Sequence, residues 1–192
     1  DLLAGAGETN AMKYLSAITI RDSSVNIEDA RRDVPWETTI RSLRFHRRAA
    51  GMELGGALQV IAAGSALELK FDGKHDRVAK IITLSATFSG LDPASLAKAV
   101  PELAEVKALS MALGGTIDMR MNEEGTIDKI DFAVGGGPGQ IDVPNLVKDG
   151  VAVDRIGAQG RLWDPFSRLL LKNVPVALGR PVIAMSGVVD DA

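Results

Sequence analysis

The sequence predicts a mainly β protein, an antiparallel meander that forms a curved, groove-like sheet or an open sandwich, with one short helical region near residues 92–106. Three observations support this fold class. Apolar and polar residues alternate with a period of two along most of the chain. Turn signals recur every eight to fifteen residues or so, which leaves no room for the helices of βαβ units. A single strong helix start, Asp92-Pro93, interrupts the alternation.

The alternation is clearest where Leu67, Leu69 and Phe71 occupy one side of a segment and Glu68 and Lys70 the other. Such a pattern is typical of strands with one apolar and one hydrated face, as in antiparallel sheets. Similar runs occupy residues 18–20, 25–27, 43–45, 52–60, 82–88, 116–121 and 129–134.

Turn residues separate these runs. Asn122-Glu123-Glu124-Gly125 joins two alternating segments and predicts a four-residue hairpin loop. Residues 72–76, 148–150 and 163–165 carry similar signals. Pro175 interrupts the run of Val174, Val176 and Leu178, which predicts an edge strand or an irregular one.

The helical region begins with Asp92 as N-cap and Pro93 at the first helical position. Leu96, Val100, Leu103 and Val106 fall near helical spacing, so a second short turn is expected after Pro101. The apolar side of this region is expected to cover one end of the sheet.

Residues 1–13 are expected to be a disordered start, residues 14–188 a single β-rich domain cut from a larger chain, and residues 189–192 a tail. Apolar residues make up 46% and charged residues 24%, which is ordinary for a globular protein. The net charge of −3 and the pI near 5.4 argue against a nucleic-acid partner, because nucleic acids usually bind to a basic protein surface. The first residue is not Met, and no window of about 18 apolar residues is present, so a membrane anchor is expected outside this segment.

No catalytic, metal or cofactor site is expected. The chain has no Cys, and its two histidines, His46 and His75, lie beside an Arg cluster and in a polar segment that predicts a hairpin tip. The run Gly135–Gly139 precedes a strand-like segment rather than a helix, which favours a turn or bulge over a phosphate loop. Adjacent acids such as Glu123 and Glu124 fall in a predicted turn, where they are solvated.

Two other features have alternative interpretations. The basic run Arg41–Arg48 is interpreted as the hydrated face of an edge strand, where charge discourages aggregation, although anionic lipid headgroups could bind it. The methionines at 52, 111, 119, 121 and 185 fit either an ordinary core or an adaptable apolar groove.

Three passages of the sequence share a combination of strand and turn patterns. They are residues 18–29 with Trp36 and 40–45, residues 88–96 with 101–103 and 113–117, and residues 122–127 through 132–139. Together they resemble the AsmA-like group of large Gram-negative envelope proteins, in particular its YhdP-like branch with a middle region long called a domain of unknown function. The resemblance covers roughly residues 14–188 and consists of turn and alternation patterns rather than catalytic signatures.

The resemblance implies a periplasmic β structure anchored upstream in the inner membrane, with an apolar groove that carries phospholipid between the membranes in outer-membrane biogenesis. Phospholipid acyl chains and the remaining β segments of the same parent chain are then the expected partners. The alternatives are a closed β-sandwich binding or adhesion module and, third, an enzyme domain with a site not visible in the sequence. The candidate lipid-facing residues are Ile117, Met119, Met121, Ile130, Phe132 and Val134.

Overall fold

The computed structural model describes residues 15–27, 36–62, 64–99, 107–142, 150–163 and 168–190. Thirteen strands and one helix, α1, occupy these ranges. Their bounds are β1 Ala17–Ile27, β2 Trp36–Arg48, β3 Gly51–Ala62, β4 Ser65–Asp76, β5 Ile81–Leu91, α1 Pro93–Ala99, β6 Leu109–Ser110, β7 Leu113–Asn122, β8 Ile127–Gly136, β9 Gly139–Ile141, β10 Val151–Val153, β11 Arg155–Trp163, β12 Arg168–Ala177 and β13 Val182–Asp190.

Ten strands form one antiparallel sheet in the order β1-β2-β3-β4-β5-β7-β8-β11-β12-β13. The predicted antiparallel meander is therefore confirmed. Two excursions leave the meander, one between β5 and β7 and one between β8 and β11. They meet in a small sheet of order β10-β9-β6, because β9 pairs with a strand from each excursion.

The small sheet packs on one end of the main sheet and builds the core there. Met111, Leu113 and Val153 are buried at the centre of this cluster. Strands β6, β9 and β10 add Leu109, Ile141 and Val151, and the main sheet adds Leu91, Val134, Ile156 and Val176. Apolar burial in the described part of the chain is thus concentrated where the two sheets overlap.

The hairpin predicted at Asn122–Gly125 is confirmed and joins β7 to β8. Asn122 and Thr126 form the closing pair, with Asn122 N donating to Thr126 O at 3.0 Å and Thr126 N donating to Asn122 Oδ1 at 2.7 Å. Gly125 takes a left-handed conformation, φ +83°, which a residue without Cβ adopts at little cost.

The turn predicted at residues 72–76 is wrong, because these residues belong to β4. The true turn follows at 77–80, where Asp76 Oδ1 accepts hydrogen bonds from the N–H groups of Val78 (2.9 Å) and Ala79 (3.0 Å). Asp-Gly is a frequent turn signal, but Gly73 here lies in mid-strand opposite Leu54 and Leu84. The turn signals at 148–149 and 164–165 lie outside the described residues.

Three other predictions concern individual strands and the turns between them. The run Gly135–Gly139 ends β8 and bends into the short strand β9, as the turn interpretation requires. Strand β12 is irregular, with a register shift between Leu171 and Val174, but it pairs on both sides and is not an edge. Strand β2 is also internal, between β1 and β3, so the interpretation of Arg41–Arg48 as an edge strand is wrong.

The predicted helix is confirmed in its first part as α1, while residues 100–106 lie outside the described range. Asp92 caps α1: its carboxylate accepts from the Ser95 hydroxyl at 2.6 Å, the Ser95 N–H at 3.0 Å and the Ser65 hydroxyl at 3.2 Å. Pro93 and Ser95 are buried, and α1 lies against β3 and β6. The Ser65 contact ties the cap to the start of β4, which is why the helix lies at this end of the sheet.

The cap makes stability depend on pH. The Ser95 hydroxyl, followed by the backbone N–H groups, holds the pKa of Asp92 below its ordinary value of 3.8. A carboxylate with a lowered folded pKa stabilises the fold fully above its unfolded pKa and ceases to do so as pH falls through the folded pKa.

Asp92→Ala is therefore expected to lower the free energy of unfolding near neutral pH by about 1–2 kcal/mol. The difference from the unmodified chain should shrink as pH falls from about 6 to about 3, measured by urea denaturation at each pH. Asp72→Ala removes an exposed strand carboxylate and serves as the control, with an expected change within about 0.5 kcal/mol. A pH-independent difference for Asp92→Ala would contradict the assignment of the cap.

Candidate functional site: the apolar face

The candidate site is one face of the ten-stranded sheet, here called the apolar face. Residues paired across neighbouring antiparallel strands point to the same side, so the ladder defines the face row by row. The central row, from β1 to β12, is Ile20, Leu43, Gly56, Phe71, Ala86, Ile117, Phe132, Gly160 and Leu171. The next row is Ile18, Phe45, Leu54, Gly73, Leu84, Met119, Ile130, Leu162 and Leu169.

The six residues predicted from the sequence lie together on this face. Ile117 pairs with Phe132 and Met119 with Ile130, across the hairpin between β7 and β8. Val134 lies one row toward the small sheet, opposite Gly115, and Met121 lies one row toward the hairpin. The register between β7 and β8 shifts beyond Arg120, so Met121 pairs with Ile127 and Asp128 is the extra residue of the bulge.

A paired irregularity keeps the apolar face continuous across β1 and β2. The ladder passes from Arg21 opposite Ser42 to Ser23 opposite Ile40, with Asp22 in a left-handed conformation of φ +47°. Strand β2 has one extra residue relative to β3 at this point. The side-chain alternation therefore slips by one position, which brings Val25 to the same face as Ile18 and Ile20.

Among the described residues, the small sheet covers the apolar face at one end. Leu113 is 9% exposed beneath the small sheet, whereas Ile117, on the same strand and the same face, is 36% exposed and Leu54 is 41% exposed. In the ranges that the structure describes, the buried methionine, leucine and valine side chains are those of Met111, Leu113 and Val153. The two central rows are thus an apolar surface that the described strands and helix leave partly open.

Two phenylalanines of the central row lie beside glycines of adjacent strands. A Cβ added at Gly56 would lie 3.2 Å from Phe71 Cε1 and Cζ, and one added at Gly160 would lie 2.6 Å from Phe132 Cζ. These contacts mean that the rings cover the glycine backbone instead of standing away from the sheet. The sequence did not predict that these phenylalanines pair with glycines. The partners belong to different strands, and only the register of the sheet brings them together.

The opposite face of the sheet carries paired charges. Arg161 donates to both oxygens of Asp131, from Nε at 2.6 Å and from Nη2 at 3.1 Å, and Lys129 lies 3.4 Å from the same carboxylate. Arg161 holds the pKa of Asp131 below its ordinary value, and Asp131 raises the pKa of Arg161. The hydroxyl of Ser85 donates to Asp118 at 2.5 Å. These groups hydrogen-bond to one another along the polar face.

Most of the basic run of β2 lies on this polar face, whereas Arg47 pairs with Met52 at the rim of the apolar face. Arg41 Nη2 lies 2.6 Å from Glu68 Oε1, and Arg48 Nη2 lies 3.0 Å from Glu53 Oε2. Arg44 borders a shallow open depression of about 350 Å³ that also contains Glu53, Asp72 and Lys74. Acidic partners on β3 and β4 therefore pair with two cations of the run, so acidic and basic side chains alternate on this part of the polar face.

His75 occupies a different position from the predicted one. It pairs with Met52 and Ile82 at the rim of the apolar face, and its side chain is 16% exposed rather than solvated at a hairpin tip. Its Nε2 lies 2.7 Å from Glu123 Oε1, and its Nδ1 is buried without a hydrogen-bond partner. His46 lies opposite Glu53 in β3. Among the described residues, no three or more His, Asp or Glu side chains are grouped so that they could hold a metal ion.

A search of the described residues for membrane-spanning helices finds none that is long and apolar enough. Comparisons of the chain with protein-family models, with curated proteins and with solved structures give no match.

Proposed function

We propose that this chain is a non-catalytic periplasmic scaffold whose apolar face forms part of a groove for phospholipid transport between the inner and outer membranes. The observation that carries the proposal is the partial exposure of the central apolar rows, represented by Ile117 at 36% and Leu54 at 41%. The resemblance of the sequence to the AsmA-like envelope proteins, and to their YhdP-like branch, supports the same function.

Binding of an acyl chain to the apolar face would remove apolar surface from water. An acyl chain lying along the central rows would bury its methylenes against Ile117, Met119 and Phe132, and each buried methylene contributes about 0.8 kcal/mol. Methionine and leucine side chains adapt to ligands of different length and saturation, because they are flexible and carry no hydrogen-bonding requirement. No cofactor and no catalytic residue takes part in this function.

The polar face supports the proposal because it carries charged side chains where the apolar face carries aliphatic and aromatic ones. The ion pairs of Asp131 with Arg161 and of Arg41 with Glu68 satisfy charges within the sheet and keep that face in water. A sheet with one hydrated face and one open apolar face suits a curved wall that separates acyl chains from the aqueous periplasm. The rest of the wall would come from other β segments of the parent chain, which is expected to be anchored in the inner membrane.

The proposal is tested with a photo-crosslinking amino acid placed in turn at Met119, Met121 and Phe132 of the full-length protein in cells. We expect crosslinks to phospholipid at these three positions, because their side chains share the apolar face. Asp118 and Arg120 are matched controls, since they alternate with Met119 and Met121 on the same strand but point to the polar face. These positions should give no lipid crosslink.

Crosslinks from Met119 and Phe132 to protein alone would contradict the lipid groove and would indicate a closed binding module with a second layer over this face. Equal lipid crosslinking at Asp118 and Met119 would also contradict it, because nonspecific adsorption does not distinguish the two faces.

A further inference from the structure

Two neighbouring turns border the apolar face at the end away from the small sheet, and both are basic. They comprise residues 47–50, between β2 and β3, and residues 77–80, between β4 and β5, and are here called the basic rim. The Arg77 N–H donates to the Ala50 carbonyl at 3.1 Å and joins the two turns. All eight residues are exposed, and four of them are cations: Arg47, Arg48, Arg77 and Lys80. The last row of the apolar face, which includes Met52, His75, Ile82 and Met121, begins directly beside the rim.

The acidic groups beside the basic rim are engaged in other contacts. Asp76 Oδ1 accepts the N–H groups that follow it in the turn, and Glu53 pairs with Arg48. The next turn along the sheet, between β7 and β8, is acidic, but its Glu123 is hydrogen-bonded to His75. Among the described residues, no carboxylate forms an ion pair with Arg77 or Lys80. These two side chains are therefore available to an anion from outside the chain.

The backbone of Lys80 is unusual for a lysine. Its φ of +54° lies in the left-handed region, which glycine adopts at a lower cost than any residue with a Cβ. The geometry of the turn thus favours glycine at position 80 and does not explain a lysine. A contact made by the lysine side chain would explain it.

We propose that the basic rim binds the phosphate of an anionic phospholipid whose acyl chains lie along the strands of the apolar face, toward the small sheet. This inference rests on the proposed function and adds the orientation of the lipid. Arginine and lysine form charge-assisted hydrogen bonds to phosphate oxygens. The rim and the apolar rows are contiguous, so a single amphiphile contacts both.

The length of the apolar face is compatible with this orientation. Strand β7 runs about 27 Å from Met121 beside the rim to Leu113 beneath the small sheet, at about 3.4 Å per residue. One leaflet of a bilayer holds its acyl chains within about 15 Å, half of the hydrocarbon core. An acyl chain therefore fits between the basic rim and the small sheet.

Titration calorimetry with dioctanoyl phosphatidylglycerol below its micellar concentration tests the rim. Arg77→Gln and Lys80→Gly should each raise the Kd about fivefold, because an exposed phosphate contact is lost. Lys80→Gly should do so with an unchanged or higher urea midpoint, since glycine relieves the left-handed backbone. Lys70→Gln is the matched control: it removes an exposed cation from the polar face of β4 and should leave the Kd unchanged.

Labelled lipids test the orientation. A phosphatidylglycerol with a photoreactive diazirine on its headgroup should label residues 77–80, as identified by mass spectrometry of peptides. The same group at the end of an acyl chain should label β7 around Ile117. The opposite pattern, or labelling of both segments by both lipids, would overturn the proposed orientation.

Equal affinity of Arg77→Gln, Lys80→Gly and the unmodified chain would overturn the headgroup site, while lipid crosslinks at Met119 would still support the groove. Inorganic phosphate that binds as tightly as the lipid would also overturn the proposal, because the acyl chains would then contribute nothing. Absence of both phosphatidylglycerol binding and crosslinks at Met119 would contradict the lipid groove itself. Failure of the headgroup site and failure of the groove are therefore distinguishable.

Discussion

Truncating Leu113 to alanine is expected to lower the free energy of unfolding by about 3 kcal/mol, because the methyl groups leave a cavity in the cluster with Met111 and Val153. Leu113 is 9% exposed and lies where the small sheet covers the main one. The small sheet holds few strand pairs of its own, so it depends on this cluster for its position. Urea denaturation monitored by circular dichroism measures the change.

Ile117→Ala is the matched control for Leu113→Ala. Both residues lie on β7 and on the same face, but Ile117 is 36% exposed outside the small sheet. Truncation of a side chain that is partly in water loses less transfer free energy and leaves no closed cavity, so the expected cost is about 1 kcal/mol or less. Equal costs at both positions would mean that another layer covers the central rows, which would contradict an open apolar face.

Replacing Gly160 with alanine is expected to cost about 2–3 kcal/mol through overpacking. An added Cβ would lie 2.5 Å from the Leu170 carbonyl oxygen and 2.6 Å from Phe132 Cζ. The Phe132 ring can rotate away from the added methyl group. The Leu170 carbonyl belongs to the backbone of β12, so β12 must shift relative to β11 next to the register shift at Gln159 and Gly160. The free energy of unfolding, measured in urea, is expected to fall accordingly.

Gly187→Ala is the control, because Gly187 belongs to the same row on β13 and a Cβ there meets nothing within 4 Å. Alanine restricts the unfolded chain more than glycine does, so this change is expected to be neutral or to stabilise the fold by about 0.5 kcal/mol. Equal destabilisation at positions 160 and 187 would refute the contact of Phe132 with the glycine backbone and would indicate a general intolerance of side chains in this row.

Local patterns in the sequence were sufficient to predict several elements. The alternation around Met119 and Ile130, together with the Asn122–Gly125 turn, determined both the hairpin and its register, because a slip of one residue would turn every apolar side chain of a strand to the other face. The Asp92-Pro93 start of α1 was also predictable, since capping depends on residues within a single turn. The shared face of the six candidate residues follows from the same local rule.

Other features depend on contacts between distant segments and were predicted wrongly or not at all. Asp72-Gly73 has the composition of a turn, yet β3 and β5 pair with it on both sides and hold it in mid-strand. His75 consequently lies at the rim of the apolar face and reaches Glu123 instead of projecting from a hairpin tip. The basic run of β2 suggested an edge strand, but strand order places β2 inside the sheet.

The sequence by itself determined that this protein is an antiparallel meander with one apolar and one polar face, because the period of two fixes side-chain direction within each strand. Tertiary structure alone decided how much of the apolar face is covered. Two excursions, distant in sequence, meet as β6, β9 and β10 and bury Leu113, while Ile117 on the same strand stays partly open. Both residues have the same alternation, and their burial differs because coverage depends on which segment packs above a strand, a contact that no local pattern specifies.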